Sequence, residues 1–137
     1  MTLALTRNIK DAEKAFTLAC FNVLAHNRDD HVKNLSFLLN ARSEWIFALA
    51  YDLVFSYGPG GGQSMLVMCE GRDPGTAKLQ ALGKQHGLKN APEILAKVKR
   101  AVADWLRFAE QADVSRKSTK EIASKIKLQR SSNIQID

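Results

Sequence analysis

"HNRDDHVKN", residues 26–34, sets two imidazoles, two carboxylates, two basic side chains and two amides in nine positions, with Val32 the one hydrophobe. A turn needs one or two such residues, as caps or as side chains that bond their own backbone. Eight polar groups in nine positions read instead as a site. Its flanks indicate how the chain folds around it. Upstream, Ile9, Ala12, Phe16, Ala19, Cys20, Val23 and Leu24 recur at helical spacing, an amphipathic helix that stops where the polar stretch starts. Downstream, "LSFLL" (35–39) and "WIFALA" (45–50) are short apolar runs parted by the polar "NARSE", the pattern of a β-hairpin with a longer loop. Asp52 stands just past its far end.

Beyond the hairpin, "SYGPGGGQS" (56–64) carries four glycines and a proline, too flexible for either periodic structure. It reads as a mobile loop, either a lid facing substrate or a plain connection. It lacks the G-K-[ST] ending of a phosphate-cradling P-loop. The rest is helical. "DPGTAKLQALGKQHG" (73–87) opens on Asp73 and Pro74 as cap and first turn and stops at Gly87, where a left-handed residue is expected. Residues 90–112 form one helix with a stripe of Ile94, Leu95, Val98, Ala101, Val102, Trp105 and Ala109, capped by an Asn90–Glu93 box. Ser118 and Glu121 repeat that spacing before a short basic helix, and the polar end, 131–137, frays. The fold class is therefore mainly α with one small β-hairpin, in a single domain spanning 1–137.

Composition narrows the functional classes. With 137 residues, 45% of them hydrophobic, the chain can bury a core. Its longest apolar run, Trp45 to Tyr51, falls far below the about 20 residues a bilayer requires, so no membrane span is expected. The first residues lack the basic start and apolar core of a secretory signal, and a cytoplasmic location follows as the expectation. Cys20 and Cys69, without a Cys/His cluster near them, read as buried free thiols. The formal charge of +6 is concentrated in residues 115–130, which hold six Lys/Arg against one Glu. A basic helix can meet phosphates or an acidic partner, but no aromatics interleave with these charges to stack on bases. A solvated face is the simpler account of it.

Within the opening stretch, Arg28-Asp29 is followed after four residues by Asn34, the R-D-x-x-x-x-N spacing of a kinase catalytic loop. The spacing has a chemical reason. Phosphoryl transfer needs a carboxylate beside the attacking hydroxyl and an amide oxygen facing the magnesium ion on the phosphates. Asp29 fits the base and Asn34 the ligand. Mg²⁺ also takes one or two carboxylates, and Asp52, returned across the hairpin, is placed to be one. The alternative is purely local: Asp29 and Asp30 as turn formers, His31 and Lys33 on the surface, Asp52 as a strand-end cap.

Taken together, "FNVLAHNRDDHVKNLSFLL" (21–39) and "ALAYDLVFSYGPGGGQSM" (48–65) resemble the C-terminal lobe of HipA-type serine/threonine kinases, the toxins of bacterial toxin–antitoxin modules. Their pattern N-x-D-x-H-x-K-N-x-S, followed by Y-D, is met by Asn27, Asp29, His31, Lys33, Asn34, Ser36, Tyr51 and Asp52. The match runs from about Ala15 to Gly71. The resemblance implies Asp29 as catalytic base, Asn34 and Asp52 as ligands of Mg²⁺ and ATP, and His31 and Lys33 as further cofactor contacts or as pins of the loop. HipA-type kinases are roughly three times this length, and their N-terminal lobe holds adenine and supplies the lysine on the α/β-phosphates. The resemblance therefore implies half a cleft, catalytic on a protein serine or threonine only when an N-lobe chain completes it. A truncated remnant that binds a partner such as a HipB-like antitoxin is the alternative. Nucleic acid is then met only through the antitoxin, and a direct nucleic-acid module built on residues 115–130 ranks last.

Overall fold

The structure, a computed structural model, describes residues 1–131, without the side chains of residues 59 and 127–131. Six helices and one hairpin follow in the order α1 (Thr2–Thr6), α2 (Ile9–Leu24), β1 (Phe37–Leu39), β2 (Trp45–Phe47), α3 (Thr76–Gln85), α4 (Ala91–Ala103), α5 (Trp105–Gln111) and α6 (Arg116–Ser131). The mainly α fold with one antiparallel hairpin is the one expected. The fraying expected over 131–137 falls, apart from Ser131, outside the described residues.

Helix α2 organises the rest. Asn8 caps it, its side chain accepting the Lys10 N–H at 3.0 Å, and Asp11 places a negative charge in the first turn. Its apolar face, with Phe16, Cys20, Val23 and Leu24, shares one core with Leu79 of α3 and with Leu95, Val98 and Val102 of α4. Each such side chain contributes about 1.5–3 kcal/mol when fully buried. The helix ends at a left-handed residue that is not glycine, His26 (φ 60°). There the His26 N–H bonds Val23 O and the Asn27 N–H bonds Asn22 O at 2.9 Å, a Schellman closure that turns the chain sharply into the polar stretch.

The hairpin pairs Phe37 with Phe47, Leu38 with Ile46 and Leu39 with Trp45. Its loop is closed by the Asn40 side chain, which accepts the N–H groups of Arg42 and Glu44. The buried Asp11 carboxylate accepts the Phe47 N–H at 3.1 Å and so ties β2 to α2. This bond fixes the arm that carries Asp52 back towards residues 26–34.

The helical half departs from expectation at five points. Helix α3 begins at Thr76, with Gly75 as its cap; Pro74 is buried in the preceding loop and Asp73 caps nothing. Its end is as expected, with Gly87 left-handed (φ 64°). The stretch 90–112 is two helices. At Asp104, a weak helix former, the N–H bonds Ala101 O, three residues back, and past this joint the Trp105 indole N–H reaches Thr119 O of α6 at 3.1 Å. Asn90 stands at the N-cap of α4 as expected but makes no side-chain cap bond; its amide donates across to Glu13 of α2 at 2.8 Å. Helix α6 starts earlier than expected, Ser115 Oγ accepting the Ser118 N–H, while Glu121 turns to the Tyr57 hydroxyl. Cys69 is exposed, in a tight turn with positive φ at Met68 and Cys69, whereas Cys20 is buried and its thiol is pushed up to about 12.

Among the described residues no helix is long and apolar enough to cross a membrane.

Candidate functional site

Residues 27–36 leave α2 as an extended segment, make one 3-10 turn over Val32–Asn34 and enter β1. Asn27 pairs with Ser56 in an isolated parallel bridge, so the chain on the far side of the hairpin runs alongside the segment. Asn27 is almost fully buried, and its amide donates to Asn22 Oδ1 at 3.1 Å and to the Asp52 carbonyl at 3.3 Å. Asp52 itself is left-handed (φ 56°), a conformation in which aspartate is several-fold enriched among non-glycine residues. The turn it makes brings its carboxylate to Asn34: Asn34 Nδ2 donates to Asp52 Oδ2 at 3.1 Å and to the Asp29 carbonyl at 3.1 Å.

One amide group thus joins the three residues that the spacing had singled out. Both bonds use the nitrogen of Asn34. Among the described residues, its Oδ1 and the second oxygen of Asp52 accept no hydrogen bond, and hard oxygens are the type of ligand Mg²⁺ prefers. Among the described residues no group of three or more His, Cys, Asp or Glu could hold a metal by itself. A pair of this kind holds such an ion only together with phosphate oxygens and water, and in that setting the residues fit the Mg²⁺-nucleotide that the sequence implies.

The remaining members of the motif divide. Tyr51 donates to the Lys33 carbonyl at 2.6 Å and, having one hydrogen, accepts from Ser36 Oγ at 2.6 Å, which pins the 3-10 turn to the hairpin arm. His31 lines a small cleft with Asn27, Asp30, Asn34, Tyr51 and Asp52, and its Nδ1 is buried without a partner. The Lys33 side chain is exposed and makes no hydrogen bond or ion pair; only its carbonyl is used. The Asp29 carboxylate is partly exposed and, among the described residues, has no hydrogen-bond partner.

Three contributors are not evident from sequence. Asp30, which reads as a turn former, is 4% exposed and accepts the N–H groups of Ser64 and Met65 and the Gln63 amide at 2.9, 3.2 and 3.3 Å. Burial raises its pKa, opposed by the Met65 and Ser64 N–H groups. Asn22 sits within the helical pattern of α2 with nothing to mark it. His26 stacks on Phe55, ring centroids 5.3 Å apart, and burial, then the Arg28 and Lys125 cations, pulls its pKa from 6.5 down to about 4.

Comparison with known proteins gives one finding: the model of the HipA-like C-terminal domain matches residues 1–130. The chain belongs to this family. Neither curated proteins nor solved structures give a match. A HipA-like C-terminal domain accounts for the segment from Asn27 to Asp52, and the match extends through the helical part, where the motifs carry less information.

Proposed function

We propose that this HipA-like domain is the catalytic-loop half of an ATP-dependent serine/threonine protein kinase. The observation that carries this reading is the Asn34 amide bonded at once to the Asp52 carboxylate and the Asp29 carbonyl, which ties the two proposed ligands to the backbone of the proposed base. Asp29 takes the proton of an attacking hydroxyl on a protein substrate. Its carboxylate has no internal partner to displace and is partly open to solvent, as a base that meets a large substrate requires. Asn34 Oδ1 and Asp52 would hold the Mg²⁺ of the nucleotide, which would supply positive charge against the transferring group. His31, which lines the cleft with Asn34 and Asp52, and the exposed Lys33 are taken as further contacts of the nucleotide.

Positioning supplies nearly all of the catalysis in phosphoryl transfer, so the donor-side contacts matter as much as the base. Among the described residues the hairpin is the one sheet, and the Gly-rich stretch is not a P-loop. The donor side is therefore assigned to a separate N-lobe, and the domain alone is expected to transfer no phosphate. The cytoplasm, where ATP and a HipB-like antitoxin are at hand, is the compartment this reading requires.

With an N-lobe supplied, Asp29→Asn nearly abolishes transfer while nucleotide binding persists, and Asp52→Asn weakens binding of Mg-ATP. Steady-state kinetics with labelled ATP separates the two, and equal effects of both changes on both properties would refute the division of roles. A non-catalytic, partner-binding reading is favoured by the apolar side chains that the N-terminal region leaves exposed, Met1, Leu3, Leu5 and Ile9. Strong labelling of substrate by the completed pair would exclude it.

A further inference from the structure

The base has no side-chain partner, yet both of its neighbours are fastened to the same piece of chain. On one side the Arg28 carbonyl accepts the N–H and the hydroxyl of Ser64 at 3.1 and 3.0 Å, and the Arg28 guanidinium donates to Gly61 O. On the other side the Asp30 carboxylate accepts three donors from residues 63–65. The near end of the loop is tied as well, with Ser56 N donating to His26 O and Arg28 N to Ser56 O. Gly58, at φ 68°, lies so close that a Cβ there would come 2.8 Å from the Arg28 Cβ. The Gly-rich stretch, expected to be a mobile loop, is therefore built against the segment that carries Asp29.

Asp30 makes this attachment differently from an ordinary turn aspartate. It is buried, and among the described residues no cation pairs with it and its donors, apart from its own N–H, all come from 63–65. A buried carboxylate without a counter-ion is costly unless donors aimed at it replace water. The donors at 63–65 do so only while this loop end stays in place, so the charge of Asp30 and the position of the loop require each other.

We infer that Asp30 is a positioning residue, which acts through residues 63–65 to hold the neighbouring Asp29 carboxylate in one orientation. The inference rests on the proposed role of Asp29 as base, and it gives the Gly-rich loop the task of a buttress. Loosening one face of the Arg28–Asp30 tripeptide leaves Asp29 held through Arg28 and through the Asn34 amide on its own carbonyl, with its carboxylate free to sample rotamers that point away from an incoming hydroxyl.

The test is NMR on the whole chain with Asp30→Ala. Carbon–nitrogen couplings across the Cα–Cβ bond report the Asp29 rotamer directly, and a purely structural role for Asp30 would leave them unchanged. The expected result is a single rotamer in the wild type, averaging in the variant, and exchange at the Ser64 and Met65 amides faster by about tenfold or more, with α2 and α4 unaffected. Faster exchange at 64 and 65 with Asp29 still in one rotamer would overturn the inference. Should Asp30→Ala not fold, Gln63→Ala removes the side-chain donor on the Asp30 carboxylate, and partial averaging at Asp29 is expected; none would likewise overturn it. Mn²⁺ with a non-hydrolysable ATP analogue, added to the wild type, separates the two claims. Absence of broadening at Asn34 and Asp52 counts against the functional reading, whereas the Asp29 couplings decide the role of Asp30.

Discussion

Asp11→Ala removes the bond that fixes the hairpin to α2, and its cost can be worked from the contacts. The wild-type carboxylate is 1% exposed, accepts the Phe47 N–H at 3.1 Å and pairs with Lys14 at 2.8 Å. The Lys14 side chain is 59% exposed, so that pair contributes less than about 1 kcal/mol. The larger part is the buried Phe47 N–H, which loses a charged acceptor and is left unpaired, at about 1.5–3 kcal/mol. Together the loss is about 2–3 kcal/mol, and at about 3–4 °C per kcal/mol for a domain of this length Tm falls by about 6–12 °C. Lys14→Ala lowers it by less than about 4 °C. The pKa of Asp11 is lowered from 3.8, first by the Lys14 bond, so this stability is complete above the unfolded value and is lost as pH falls through the lower folded one. Calorimetry on both variants at pH 7 and pH 3 tests these statements. Equal shifts for Asp11→Ala and Lys14→Ala at pH 7, or a deficit in Asp11→Ala that grows in acid, would refute the assignment of β2 anchoring to the buried carboxylate.

Gly83 lies where α3 meets α2 and α4; a Cβ there would strike Ala91 Cβ and sit 3.3 Å from the Phe16 ring. Gly83→Ala gains about 1 kcal/mol of helix propensity but overpacks the junction, and denaturant melts are expected to show a net loss of about 1–2 kcal/mol. His26 is held near a pKa of 4, against 6.5 when unfolded, so the unfolded chain binds the extra proton between these values and stability falls as pH drops through that window. His26→Asn, which tolerates the left-handed backbone, is expected to flatten the fall in urea midpoints measured from pH 7 to pH 4.

What the sequence disclosed follows from the range of the interactions involved. Helix α2 and the hairpin are written in periods of 3.6 and 2, which need no knowledge of the rest of the chain. The meeting of Asn34 with Asp52 and with the Asp29 carbonyl was legible because the hairpin returns the chain beside the loop. The departures arise where a tertiary partner overrode a local rule. Asn90 had the spacing of a cap but found Glu13 on another helix, and Glu121 likewise found Tyr57. Asp104 interrupts a stripe that reads as continuous, and beyond it the Trp105 indole has its acceptor on α6. Asp30 was hidden for the same reason, since its donors lie more than thirty residues away and nothing in a doublet of aspartates tells which of the two is buried.

Asn34 and Asp52 are proposed to hold the metal of a metal–nucleotide, weakly in this half of the cleft and tightly once an N-lobe completes it. The most direct measurement is the broadening of amide resonances by substoichiometric Mn²⁺ with a non-hydrolysable ATP analogue. Binding should be weak, because water and phosphate fill most of the ion's shell. The account predicts broadening centred on Asn34 and Asp52, reaching Asp29 and His31, and abolished by Asp52→Asn. Broadening spread along the basic face of α6, with the Asn34 and Asp52 signals sharp and the pattern unchanged in Asp52→Asn, would contradict it.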